Sequence, residues 1–118
     1  MRNLQLERGQ IVNIDLCTEN KEGSEQRGFR PCVIIGNNIG NKYSPCIIVS
    51  PITKADKKAM PTHVNLDCEK YRLVDGSRIL TEQIITVSKS RITKFIDSLT
   101  NEDIINLNNA LAISLQIN

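Results

Sequence analysis

Two residues stand where the local chain can aim a polar group at a substrate. Arg30 precedes Pro31, which fixes its own φ and biases Arg30 toward extended backbone. The guanidinium therefore projects from a defined point at the start of an apolar run. It is always charged, and its fork of donors binds phosphate oxygens in pairs. Thr53 follows Pro51-Ile52 at the end of another apolar run, at the mouth of a loop carrying Lys54, Lys57 and Lys58 against Asp56. A hydroxyl there can hold a phosphate oxygen or an attacking hydroxyl in line, and Lys54 and Lys57 are candidate contacts to a nucleic-acid backbone. Taken singly, each has a plainer reading: an ion-paired surface arginine, a strand-terminal threonine, a solvated lysine loop.

Other chemistries are removed by inventory. His63 is the only histidine, so catalysis by two histidines within one chain is excluded. It lies beside Pro61 and Thr62 at the start of a strand-like run, where a structural role is favoured over a catalytic one. No GxxxxGK or GxGxxG loop is present, and the acids do not cluster as a two-metal site would require. Cys17, Cys32, Cys46 and Cys68 are far apart, without the close pairs of a zinc site, and read as reduced, mostly buried thiols. No metal and no cofactor is expected. The 118 residues carry 15 Lys and Arg against 13 Asp and Glu, a net charge of +2, which excludes a histone-like polybasic protein. Only Tyr43, Tyr71, Phe29 and Phe95 are aromatic, too few for reading single strands chiefly by stacking. Neither a membrane span nor a secretion signal is visible, so a cytoplasmic protein is expected.

The elements that must position these residues are mostly strands. Gln10 to Leu16 alternates, with Val12, Ile14 and Leu16 on one side. A polar loop runs from Cys17 to Phe29, long enough to be functional. Pro31 to Ile35 and Cys46 to Ser50 read as buried strands, separated by the Gly36–Asn41 turn. Thr62 to Cys68 alternates again, Arg78 to Val87 is the longest strand candidate, and Thr93 to Ile96 is a last short one. Thr100 and Asp103 form a capping signal for an amphipathic helix from about Asn101 to the end. Its stripe is Ile104, Leu107, Leu111 and Leu115, widened by Ile105 and Ala112. The chain reads as one domain, residues 1–118, mainly β with a C-terminal helix. Short strands divided by turns point to a small barrel.

The string Gly23-Ser24-Glu25-Gln26-Arg27-Gly28-Phe29-Arg30-Pro31 resembles the GSEQ-x-G-x-RP signature of the MazF/PemK family of toxin endoribonucleases. Arg8-Gly9-Gln10-Ile11-Val12 is similar to the family's opening strand. Asn37-Asn38-Ile39-Gly40-Asn41 with Ser44-Pro45 resembles its ND-x-GN…SP turn, and Pro61-Thr62-His63-Val64 and Leu80-Thr81-Glu82-Gln83-Ile84 resemble its PTHV and L-x-EQI segments. The series is ordered and spans nearly the whole chain. Two departures are Cys17 to Glu22, in place of a Pro-containing approach, and Asn38 where Asp is common.

The resemblance implies an SH3-like β-barrel, a homodimer, and metal-independent cleavage of single-stranded RNA at a short sequence. It also implies a cognate antitoxin of the MazE kind. Arg30 and Thr53 correspond to the catalytic pair, and Ser24, Glu25, Ser77, Glu82 and Gln83 to positions associated with RNA contact. Glu25 is also a candidate for the base that removes the 2′-proton. A competing reading on the same fold is a non-catalytic toxin that poisons a protein such as DNA gyrase; an inactive module that only binds the antitoxin is a third.

Overall fold

The computed structural model describes residues 5–16, 28–54, 59–73 and 77–117. Among these residues, seven strands and three α-helices follow in the order β1 (Gln10–Asp15), β2 (Phe29–Ile34), α1 (Asn38–Tyr43), β3 (Cys46–Lys54), β4 (His63–Asn65), α2 (Cys68–Tyr71), β5 (Ser77–Leu80), β6 (Ile85–Ser88), β7 (Ile92–Ser98) and α3 (Asn101–Leu115). All strand pairs are antiparallel. The sheet runs β4-β5-β3-β2-β1-β7, with β6 also on β3. Among the described residues no ladder joins β4 to β7, so the sheet is open at those two edges.

The strand period of two sorts the apolar residues onto opposite faces. Val12, Ile14, Cys32, Ile34, Ile47 and Val49 form one buried cluster with Val87 and Ile92. Ile11, Val33, Ile52 and Ile79 point the other way, into a second cluster closed by Leu107, Ala110 and Leu111 of α3. Gly9, at φ +92°, lies under this helix, and a Cβ there would meet Ile104 Cδ1 at 2.5 Å. Only glycine gives both that backbone and that close approach.

Four expectations are corrected. Arg78 to Val87 is not one strand. Ile52 faces Ile79 while Val49 faces Ile85, where an unbroken ladder would set Glu82 opposite Val49. Three extra residues are thus accommodated in a turn, where Gln83 N–H donates to Leu80 O and the Thr81 hydroxyl is drawn inward toward Thr62 O and Ala110 O. The Gly36–Asn41 turn contains the start of α1, because the Asn37 side chain caps it by accepting from Gly40 N–H at 2.8 Å. Of the run Thr62 to Cys68, only His63–Asn65 forms a strand; Asp67 then caps α2.

The fourth concerns the buried stripe of α3. It comprises Asp103, Leu107, Ala110 and Leu111, whereas Ile105 and Leu115 are exposed. Polar contacts at both ends set the rotation. Tyr71 Oη donates to Asp103 Oδ2 at 2.6 Å, and Ser114 Oγ donates to Thr81 O at 2.9 Å. The expected cap is present: Thr100 Oγ1 accepts from Asp103 N–H at 3.3 Å.

Candidate active site

Arg30 lies on β2 and Thr53 near the end of β3. Their ladder places Cys32 opposite Pro51, and two more residues in the same register put Arg30 opposite Thr53. Pairing stops before that point. Neither Pro31 nor Pro51 has an N–H to give, so the strand ends are not tied together there. The result is an open hollow of about 490 Å³ lined by both Arg30 and Thr53. Asn13, Pro31 and Ile52 contribute to its wall, Lys54 and Ser77 to the β5 side. Ser77 is buried and sits opposite Lys54.

Arg30 Nε is buried and has no hydrogen-bond partner among the described residues. A buried donor without an acceptor costs about 1–3 kcal/mol. Such a cost at a cationic group beside a hollow marks a place shaped for an anion. Cys32 Sγ donates to Arg30 O at 3.6 Å. Burial pushes that thiol up to about 12, against a smaller downward pull from Arg30, so it stays protonated and unreactive.

Other expected site residues lie elsewhere. Glu82 and Gln83 occupy the β5–β6 turn and do not line the hollow. Glu82 accepts from the Thr62 hydroxyl at 2.9 Å and pairs with His63 Nε2 at 3.2 Å. Since His63 Nδ1 accepts from Met60 N–H, Nε2 carries the ring proton and donates to the carboxylate. This is the structural role expected for the lone histidine. Ser24, Glu25, Lys57 and Lys58 lie outside the described residues, as does Cys17. Cys46 and Cys68 are half-buried. Sequence reasoning missed Arg72 and Lys94, which also line the hollow. No local pattern marks either; only the pairing of Lys94 with Asn13 across β1 and β7 brings the lysine in.

Burial tends to raise the Glu82 carboxyl, but bonds from its own backbone N–H, Thr62 and His63 outweigh it and hold the group below its ordinary 4.5. A lowered carboxyl adds stability above its unfolded value that is lost as pH falls through its folded value. Glu82→Gln is therefore expected to flatten the acid limb of stability below about pH 4.5. Urea midpoints of both proteins from pH 7 down to 3 check this; parallel curves would contradict it.

A model of the family described as "PemK-like, MazF-like toxin of type II toxin-antitoxin system" matches residues 7–115. The chain belongs to this family. The endoribonuclease MazF of Staphylococcus epidermidis is 46% identical over 114 residues, covering 96% of this chain and 93% of that protein. Among solved structures, an endoribonuclease bound to its cognate antitoxin from a mycobacterial species superposes with a TM-score of 0.76 at 23% identity, covering 96% of this chain and 97% of that one. MazF from Deinococcus radiodurans gives 0.75 at 18% identity, covering 97% and 99%. At those identities the superpositions establish the fold family, an antiparallel sheet with a C-terminal helix. Within this toxin family, the matched span includes both sides of the hollow and the Arg30-Pro31 step that opens it. No helix among the described residues is long and apolar enough to cross a membrane.

Proposed function

We propose that this toxin is a metal-independent endoribonuclease that cuts single-stranded RNA at the Arg30–Thr53 hollow. The observation that carries the reading is the buried, unpartnered Arg30 Nε beside Thr53 in an open hollow, in a chain 46% identical to a protein named an endoribonuclease. RNA brings its own nucleophile. The 2′-oxygen attacks the adjacent phosphorus, the P–O5′ bond breaks, the 2′-proton leaves to a base, and the 5′-oxygen takes up a proton. The products are a 2′,3′-cyclic phosphate and a 5′-hydroxyl.

The protein's task is alignment and charge. Arg30 faces the non-bridging oxygens as negative charge builds and can donate toward the leaving oxygen. It does not act as the base, because a guanidinium is a donor with no acceptor site for a proton. Thr53 holds a phosphate oxygen or the 2′-hydroxyl in line. Ser77 and Lys54 flank them; Glu25 is the candidate base, and Ser24, Glu82, Gln83 and Lys57 are outer contacts to RNA. The sheet is read as a small SH3-like barrel, residues 1–118 as one toxin domain, and the working unit as a cytoplasmic homodimer. A cognate antitoxin of the MazE kind is proposed to cover the same hollow until it is removed.

The test is cleavage of a long transcript in EDTA, with end mapping, and of a short substrate carrying a single 2′-deoxy residue at the cleaved step. Cutting in EDTA with cyclic-phosphate ends, abolished by the single deoxy residue, is expected. Cutting of the deoxy substrate would refute 2′-attack. Intact RNA alongside inhibited gyrase would replace the enzyme with a protein poison.

A further inference from the structure

The hollow holds more cationic groups than one phosphodiester needs. Besides Arg30 and Lys54, Arg72 and Lys94 line it, and no carboxylate does among the described residues. They enter from opposite sides. Lys94 stands on β7 opposite Asn13, and Asn13 stands opposite Pro31, the neighbour of Arg30. β7 is two strands from β2, about 10 Å at the usual strand spacing. Arg72 comes from the other flank, at the end of α2 on the way to β5.

The backbone of Arg72 supplies a second observation. It is left-handed, φ 56° and ψ 40°, with its N–H donating to Cys68 O to close α2. This conformation crowds a Cβ and favours glycine, the commonest residue at such helix ends. A glycine would close α2 with less strain, and its side chain would bring no charge to the hollow. With an arginine there instead, a guanidinium lines the hollow.

We propose that Arg72 and Lys94 bind the two backbone phosphates that flank the scissile one. RNA then crosses the hollow as an extended strand, with one phosphate at Lys94, the cleaved phosphate at Arg30 and Thr53, and the next at Arg72. This rests on the RNA-cleavage reading above. It adds that substrate binding depends on neighbouring phosphates as well as on bases.

The probe is a short RNA with a 2′-deoxy residue at the cleaved step, titrated onto the full-length protein over a range of salt. For single strands, log affinity falls against log salt by about 0.7 per phosphate contact. Lys94→Gln and Arg72→Gly are each expected to reduce the slope by about 0.7, and the two together by about 1.4. In turnover of the all-ribose substrate, the loss is expected in KM more than in kcat. Lys94→Arg should restore the slope, and Arg72→Gly should melt no lower than wild type. A structural role for Arg72 predicts the reverse, a lower melting temperature with the slope unchanged. Wild-type slopes in both variants would overturn this inference and leave RNA cleavage standing. Failure of the wild-type protein to bind or cut RNA would overturn both.

Discussion

Arg30→Ala is expected to lower kcat on RNA by about 10²–10³-fold, the usual effect of deleting one preorganised donor to a charged transition state. The protein should nevertheless fold at least as stably as wild type. Arg30 Nε is buried without a partner among the described residues, so removing it relieves a desolvation cost and orphans no described acceptor through that atom. Arg30→Lys separates charge from geometry. An ammonium keeps the charge and loses the planar fork, so it should recover only part of the rate. Single-turnover cleavage of a labelled oligonucleotide, run beside urea unfolding of the same preparations, measures both quantities. Full activity in Arg30→Ala would end the assignment. A large loss of stability would mean that the guanidinium serves the fold instead.

Leu107→Ala carries the largest expected effect on stability, about 2–5 kcal/mol. Leu107 is wholly buried and joins α3 to the cluster containing Ile11, Val33, Ile52 and Ile79. Truncation removes apolar area from the core and leaves a cavity that a sheet bound on both sides cannot readily close. Ile52 belongs to that cluster and Ile96 packs against it, and both also line the hollow. The activity of Leu107→Ala should therefore fall at temperatures below its unfolding transition, with Thr53 and Arg30 chemically intact. An unfolding free energy in urea within about 0.5 kcal/mol of wild type would show that the cluster collapses around the gap.

Local signals in the sequence reached some features and not others. The first strand was legible because Val12 and Ile14 alternate with Asn13 and Asp15, and α3 because Thr100 and Asp103 form a cap ahead of a 3.6-residue period. The rotation of α3 was not legible. It depends on Tyr71 and Thr81, contacts distant in sequence, which bury Asp103 and Ala110 and leave Ile105 and Leu115 outside. The division of the long Ile-rich run into β5 and β6 was hidden for a similar reason. Propensity favours one strand through residues 78–87, but the two halves pair with different parts of β3.

At the candidate site, Pro31 marks Arg30 by setting the backbone beside it, Thr53 is marked by its place at the end of an apolar run, and a family resemblance joins the two. Arg72 and Lys94 look like ordinary surface cations in one dimension. The register across β1 and a left-handed helix end give them their place. Glu82 and Gln83 sit in a recognisable segment, but the turn that interrupts the long strand directs Glu82 to Thr62 and His63, away from the hollow.

The concentration of four cations on one concavity has a consequence for the rest of the surface. Among the described residues, setting aside Arg30, Lys54, Arg72 and Lys94 leaves six Lys and Arg against eight Asp and Glu. The rest of the described surface is thus slightly anionic, and its charge is polarised instead of spread. A polyanion approaching from the wrong side is repelled and one approaching the concavity is drawn in. Productive orientation is in this way selected before contact, without the indiscriminate adhesion that a uniformly basic surface would bring.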